Sequence, residues 1–242
     1  MSGESALVIG GTGGIGEAVI RSFAKKGIRV SFTYCKNESK ARELEGLTDI
    51  IRGYQTDFTQ PASLQETLGS ILKTMGKIDV VVLALATPIH LVPFLQTDWK
   101  EFQTHIDVQV RGLYEVVKAL EPQLKLKHRT KILVLLTEAC NGNPPSRMSG
   151  YMTAKYGLMG FAKSLAAELA SYCCTVNMIS PGMTETALIT NFPAKMIEFA
   201  AESHPLKRIG KPEDVAEVVD FLISPAADHL NGVNHPVALN AL

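Results

Sequence analysis

From one end of this chain to the other, short apolar runs rich in Val, Ile and Leu alternate with amphipathic stretches: ALVIG then GIGEAVIRSFAKKG, RVSFTY then ESKARELEG, IIRGYQTDF then ASLQETLGSILKTMG. That alternation is the pattern of βαβ units, whose parallel strands are joined by crossovers that cover both faces of the sheet. DVVVLALA is apolar at successive residues, as a central strand buried on both faces must be. A helix from about Asp98 through Val117 follows, then the strand KILVLLT, the loop EACNGNPPSRMSG and a long helix GYMTAKYGLMGFAKSLAAELA. TVNMIS reads as the next strand, and its PGMTET continuation opens a less regular region up to about His204. PEDVAEVVDFLI reads as a helix with Pro212, Glu213 and Asp214 in its first turn, and HPVALN as a last strand. With 242 residues and 46% apolar side chains, the chain is expected to form one α/β domain over residues 1–242. The expected architecture is a doubly wound parallel sheet of about seven strands with helices on both faces.

The first of these units carries the run ALVIGGTGGIGEAV. Gly10 permits a tight turn, Gly14 lets backbone N–H groups reach phosphate oxygens, and Gly16 allows the new helix to pack closely on the sheet. A glycine turn between an apolar strand and an amphipathic helix predicts a dinucleotide site of the Rossmann type. Enzymes that use NAD place an acid about 20 residues beyond the glycines to bind the ribose 2′-hydroxyl. Here Tyr34 occupies that place, followed by Cys35 and Lys36. No carboxylate would repel a 2′-phosphate and one ammonium would attract it, so NADP(H) is favoured over NAD(H).

Tyr151 and Lys155 stand four residues apart in one helix, so their side chains share a face. A free phenol with a pKa near about 10 is a poor proton donor or acceptor at neutral pH. A neighbouring ammonium and a positive nicotinamide both favour phenolate, which predicts an acidic Tyr151 suited to acid/base work. With the glycine turn, the pair points to a nicotinamide-dependent ketone or alcohol enzyme. In the reductive direction Tyr151 would protonate the carbonyl oxygen as hydride reaches the carbon, and Lys155 would hold the nicotinamide ribose.

The spacing G-x-x-x-G-x-G, the Tyr151-x-x-x-Lys155 pair and NMISPGMTET together resemble the short-chain dehydrogenase/reductase family. HPLKRIGKPEDVAEVVDFLISPAADHLNG is similar to the C-terminal part of its 3-oxoacyl-acyl-carrier-protein reductases. The resemblance covers nearly the whole chain. It implies that Thr12, Gly13 and Ile15 join Gly10, Gly14 and Gly16 around the cofactor, and that Asp57, with Phe58 beside it, contacts the adenine. It also implies that Ala84, Pro181, Gly182, Thr184 and Thr186 lie along the nucleotide, with Thr186 on the carboxamide or a phosphate and the Ile179 backbone on the carboxamide.

Tyr156 and Lys163 fit the longer Tyr-to-Lys spacing of enoyl reductases in the same superfamily. In both groups, however, the working lysine precedes the asparagine of the VNxIxxG strand by 22 residues, and 22 before Asn177 is Lys155. An enoyl-type tyrosine would then fall seven residues before Lys155, at Met148. The third group, a hydroxyl on the substrate oxygen, is normally a serine ending the fifth strand. Counting back 13 residues from Tyr151 gives Glu138, whereas matching the strand itself gives Thr137. Loops absorb insertions more readily than strands shift register, and a carboxylate would repel a developing oxyanion, so Thr137 is taken.

Gln109 stands where the family has the asparagine that holds a water of the proton relay. The family's NNAG after the fourth strand is LALA here (Leu83 to Ala86), Ile9 replaces a usual threonine, and the chain ends in VALNAL in place of VDGG. A catalytically weakened nucleotide-binding scaffold or sensor is therefore one alternative, and a secondary-alcohol dehydrogenase of a specialised metabolite is another.

Twenty-four basic residues balance twenty-four acidic ones. That leaves no net field to hold nucleic acid or an anionic membrane and favours a small-molecule ketone or acyl-thioester substrate, free or on an acyl carrier protein. The four cysteines show no metal spacing, the six histidines form no metal pair such as H-E-x-x-H, and no metal is expected. MSGESALVIGG starts its first strand almost at once, without a basic leader or an apolar membrane span, which predicts a soluble cytoplasmic protein. Trp99 and Phe94 read as packing residues, and Met148, Met152, Met159, Met183 and Met196 as candidate lining of an apolar pocket. The family resemblance implies a homotetramer or homodimer.

Overall fold

The computed structural model describes residues 3–238. Its seven strands are β1 (Ser5–Ile9), β2 (Arg29–Tyr34), β3 (Ile51–Gln55), β4 (Val80–Leu83), β5 (Thr130–Leu135), β6 (Cys174–Pro181) and β7 (Asn234–Val237). They form one sheet in the order β3-β2-β1-β4-β5-β6-β7, parallel at every pairing. This is the Rossmann-type doubly wound sheet expected from the alternation of elements.

Period-two burial explains why helices cover both faces. Leu7, Ile9, Val81, Leu83, Ile132 and Val134 point to one side and pack on α3 (Pro61–Met75), α5 (Gly112–Ala119) and α7 (Ser149–Leu169). Ala6, Val8, Val80, Val82, Leu133 and Leu135 point to the other and pack on α1 (Gly14–Lys25), α2 (Glu38–Glu45) and α9 (Pro212–Ile223). Side chains alternate across a strand, so a run that is apolar on successive residues needs a partner on each side.

The chain reverses its direction of sheet growth between β1 and β4, which are neighbours paired from Ala6 with Val80 to Ile9 with Leu83. Crevices open beyond the carboxyl ends of strands at such a switch point, and the glycine turn lies there.

Three segments differ from the sequence expectation. The helix read from Asp98 to Val117 is α4 (Trp99–Ile106), a π turn at Asp107–Arg111, and α5. A π turn adds a residue to the helical repeat, which a periodicity of 3.6 does not reveal. The irregular region before His204 contains a helix, α8 (Ala194–Ser203), set off by Pro193. None of its residues is buried, although Met196, Phe199 and Ala200 recur at helical spacing. β7 ends at Val237, and the tail of VALNAL from residue 239 lies outside the described residues.

Candidate active site

β1 ends at Ile9 and the chain turns at Gly10 with φ of +84°. A Cβ at Gly10 would lie 2.7 Å from the Ala84 carbonyl oxygen, and one at Gly16 would strike the Gly10 carbonyl oxygen itself. These contacts are to backbone, which cannot step aside, so both positions require glycine. Gly13 caps α1, and its carbonyl accepts the first helical bond from the Glu17 N–H at 2.8 Å. The amides of Gly14 and Ile15 precede that bond, and such N-terminal amides, at the positive end of the helix dipole, suit an anion. Thr186 covers the turn, with its methyl carbon 2.7 Å from where a Gly14 Cβ would be.

One cleft runs from Gly13–Gly16 past Ala84–Ala86 and the end of β5 to Tyr151 and Lys155, bounded by Pro181 and by Thr186 to Leu188. At the end of β2, Tyr34 is half-buried beside Phe32, with ring centres 6.3 Å apart, and Lys36 is exposed. The next carboxylate, Glu38, is paired with Arg42 at 2.6 Å.

Other residues expected along the nucleotide are engaged elsewhere. Asp57 accepts from the Thr59 N–H at 2.8 Å and hydroxyl at 2.7 Å. Phe58 is buried in the core against Gly112. Gly182 donates to the Val237 carbonyl at 3.1 Å and packs on Ala238, and Thr184 is buried with its hydroxyl donating to the Gly182 carbonyl at 2.9 Å. The structure thus brings Gly13, Gly14, Ile15, Gly16, Ala84, Pro181 and Thr186 to the cleft, buries Phe58 and Thr184, and places Gly182, half-buried, beside a neighbouring cavity. The Ile179 carbonyl accepts the Leu136 N–H at 2.7 Å.

At the chemical end, Tyr151 and Lys155 are both buried on α7. Lys155 Nζ donates to the Leu135 carbonyl at 2.7 Å and lies 5.7 Å from the centre of the Tyr151 ring. The Thr137 hydroxyl stands close enough to the Tyr151 phenol to favour its charged form and accepts from the Ala139 N–H at 3.4 Å, capping a short 3-10 turn. The Glu138 carboxylate accepts from Asn141 Nδ2 at 2.7 Å. Thr137 is therefore the group that meets Tyr151. Tyr156 and Lys163 are exposed, and neither lines the cleft.

Burial pushes the Tyr151 phenol above its ordinary range, against the Thr137 hydroxyl, which lowers it, and with a smaller contribution upward from Cys140. Burial also lowers the Lys155 ammonium to about 8, with Cys140 opposing. Burial acts against the acidic phenol expected from the Tyr151–Lys155 spacing, because taking a phenol out of water disfavours its charged form.

Gln109 is wholly buried on the π turn, and neither its amide oxygen nor its nitrogen has a protein hydrogen-bond partner. Ile89, Cys140, Met148 and Met152 form an apolar wall around Tyr151, joined by Leu91, Leu188 and Phe192. Met148 and Met152 are buried beside Tyr151 and do not line the cleft, whereas Met183 lines a separate cavity with Phe199 and Leu206.

Sequence reasoning missed His105, which is buried edge-on to Tyr151 with ring centres 6.1 Å apart and hydrogen-bonded to the Thr87 hydroxyl. Its place four residues before Gln109 was the available signal. Among the described residues no group of His, Cys, Asp or Glu could hold a metal ion, and no helix is long and apolar enough to cross a membrane.

A Rossmann-type sheet with a glycine turn at its switch point and a Tyr-Lys pair on the facing helix defines a class of nucleotide-binding oxidoreductases. A family model described as enoyl-(acyl carrier protein) reductase matches residues 10–238. The 3-oxoacyl-(acyl-carrier-protein) reductase of Thermotoga maritima is 30% identical over 96% of this chain and 95% of its own length. A 3α-hydroxysteroid dehydrogenase of Mediterraneibacter gnavus is 28% identical over 96% of this chain and 94% of its own. The crystal structure of a 3-ketoacyl-(acyl-carrier-protein) reductase from Brucella melitensis, complexed with NADH, superposes with a TM-score of 0.89 at 27% identity, covering 98% of this chain and 97% of that one. The chain belongs to the short-chain dehydrogenase/reductase family of NAD(P)-dependent oxidoreductases.

Proposed function

We propose that this enzyme uses NADP(H) to reduce a ketone, a 3-oxoacyl thioester or a similar compound, to a secondary alcohol. The observation that carries the reading is the placement of Tyr151 and Lys155 in the same cleft as the glycine turn, with Thr137 beside the phenol. The residues present fit a nicotinamide nucleotide. Backbone amides at the start of α1 suit its pyrophosphate, and the glycines leave the room that a Cβ would fill. Lys36 is free to face a 2′-phosphate where no carboxylate competes, which favours NADP(H) over NAD(H).

A nicotinamide nucleotide held there would supply the hydride for the carbonyl carbon. Tyr151, protonated because it is dry, donates its proton to the carbonyl oxygen, and Thr137 holds the same oxygen. Lys155 spends one N–H on Leu135 and keeps two for the ribose hydroxyls. Gln109 offers an amide with its hydrogen-bonding capacity unused, the role of the family's relay asparagine. The aliphatic and thioether wall around Tyr151 suits an uncharged acyl or ring skeleton beside the reacting carbon.

That wall, with the relationship to a hydroxysteroid dehydrogenase, supports a second reading: oxidation of a secondary alcohol on an apolar skeleton. The test is nicotinamide absorbance followed with NADPH and NADH on acetoacetyl thioesters, free and on an acyl carrier protein, and with NADP⁺ or NAD⁺ on hydroxysteroids. Turnover of neither class, with nucleotide still bound, would leave a binding scaffold in place of an enzyme. Tyr114, Tyr156 and Tyr172 stand exposed on or beside α5 and α7 and suit contact with a second copy, in keeping with a homodimer or homotetramer. The free thiols of Cys35, Cys140, Cys173 and Cys174 suit a reducing cytoplasm.

A further inference from the structure

The run after β4 departs most from the family pattern, and the structure supplies a replacement for what it lost. From Leu83 to Ile89 the sequence is LALATPI, in which Thr87 alone has a polar side chain and Pro88 has no N–H. Ala84, Leu85, Ala86 and Pro88 line the cleft. The Ala84 N–H donates to the Ile9 carbonyl at 2.9 Å. Further along, Thr87 reaches across to α4, where its hydroxyl is hydrogen-bonded to His105 Nδ1 at 2.5 Å.

His105 is 5% exposed and stands edge-on to the Tyr151 ring at 79°. Gly150, the residue before Tyr151, makes that approach feasible: a Cβ there would lie 3.1 Å from His105 Cδ2 and 3.2 Å from Phe102 Cα. The groups facing the imidazole are Glu101 and His90 on one side and Lys155 and Tyr151 on α7. Burial outweighs them and favours the neutral ring. A neutral imidazole bonded at one nitrogen and packed against a phenol is a positioning device, because it fixes a ring without adding a charge.

We infer that His105 and Thr87 form a positioning pair that ties the apolar loop under the cleft to the face of α7 carrying Tyr151. This takes over the anchoring that polar loop residues would otherwise provide. The inference rests on Tyr151 being the proton donor. It makes His105 and Thr87 one unit, so that losing either member has the effect of losing both.

The experiment uses the full chain and five variants: His105→Leu, His105→Asn, Thr87→Val, the double Thr87→Val/His105→Leu, and Tyr151→Phe. Dissociation constants for NADPH and NADH are measured by fluorescence, kcat and KM with an acetoacetyl thioester of N-acetylcysteamine, and Tm by thermal unfolding. Misplacing a reacting group by a fraction of an ångström lowers kcat steeply. His105→Leu and Thr87→Val are each expected to lower kcat about tenfold and weaken nucleotide binding about threefold, with thioester KM within about twofold. His105→Asn, whose amide can take the place of Nδ1, is expected to stay within about threefold of wild type. The double variant is expected to be no worse than the worse single.

Multiplying effects in the double variant, His105→Asn as impaired as His105→Leu, or a fall in Tm with nucleotide affinity unmoved would each overturn the pairing. Should the wild type bind nucleotide without turning over the thioester, the dissociation constants alone decide, by the same criteria. A wild type that binds neither nucleotide removes the proposed function and this inference together. An inactive Tyr151→Phe beside unaffected His105 and Thr87 variants removes only the inference.

Discussion

The glycine turn after β1 and the face of α7 that carries Tyr151 meet in one cleft but are built in opposite ways. At the turn, the groups offered to a ligand are backbone amides, and the side chains matter chiefly by being absent: Gly10 and Gly16 each have a carbonyl oxygen where a Cβ would go. At the helix, the groups offered are buried side chains whose properties are set by being dry. Tyr151 is held protonated, and Lys155 is lowered to about 8 with one N–H already committed to Leu135. A backbone site tolerates changes in the side chains around it, whereas a site made of dry side chains depends on each one. The two halves should therefore respond to substitution on different scales.

The sharpest test of that contrast is Tyr151→Phe, which keeps the ring and its packing on His105 but removes the proton. Loss of a general acid lowers turnover by about a thousandfold, while NADPH affinity is expected to stay within about threefold because the cradle is elsewhere. Steady-state kinetics paired with fluorescence titration reads both. Thr137 comes next. Thr137→Val removes one donor from the developing oxyanion and is expected to lower kcat by about a hundredfold. Glu138→Gln, next in sequence but turned toward Asn141, should change kcat by no more than about threefold. The reverse ranking would put the carboxylate, not the hydroxyl, at the reacting oxygen.

The same contrast explains what could be read in the sequence. The alternation of strands and helices and the glycine turn were legible because each follows from a local rule: the run of apolar residues in a strand covered on both faces, and the exclusion of a Cβ from a backbone contact. The Tyr151–Lys155 pair was legible from one helical turn of spacing, but the depth at which both groups lie was not. Spacing shows that two groups are near each other and does not show that both are buried. Phe58, Gly182 and Thr184 follow from family position alone, and no local rule foretells that Phe58 packs in the core, that Gly182 pairs with Val237 or that Thr184 bonds the Gly182 carbonyl. His105 was passed over because its partner Thr87 is 18 residues away and belongs to another element. α8 does carry apolar residues at helical spacing, Met196, Phe199 and Ala200, but the Gly and Pro punctuation around it outweighed that signal.

Lys155 belongs to both halves and gives a smaller effect with a pH signature. Its folded pKa of about 8 lies below the ordinary lysine value of 10.5, so between those values the unfolded chain binds the proton that the folded chain has released. Stability contributed by this group therefore rises with pH across that window, and below it the buried charge is destabilising. Lys155→Met is expected to be more stable than wild type near pH 7 by about 1–2 kcal/mol, an advantage that fades as pH approaches 10.5. Nucleotide affinity should move the other way. Wild-type binding weakens as pH climbs through about 8 and the ammonium is lost, and the variant, already about tenfold weaker, should be flat over that range. Thermal unfolding and NADPH titration across the window check the two signs independently. A variant less stable than wild type at pH 7 would show that the bond to Leu135 outweighs the cost of burying the charge.

The smallest effect is expected at the rim of the cradle, where a side chain does contribute. Lys36 is exposed and its ammonium makes no hydrogen bond or ion pair among the described residues, while Glu38 nearby is committed to Arg42. An exposed charge facing a phosphate is screened by solvent and worth about 1 kcal/mol, a factor of about five in affinity. Lys36→Glu should therefore weaken NADPH by about fivefold or somewhat more, since it adds a repulsion as well as removing an attraction. NADH binding should hold or tighten, because a carboxylate there can accept from the ribose 2′-hydroxyl. Comparing the NADPH/NADH affinity ratio at low and high salt isolates the electrostatic part. A ratio that does not respond to the substitution would mean that the preference between the two nucleotides is set by the backbone of the turn, and that even the rim of the cradle works without side chains.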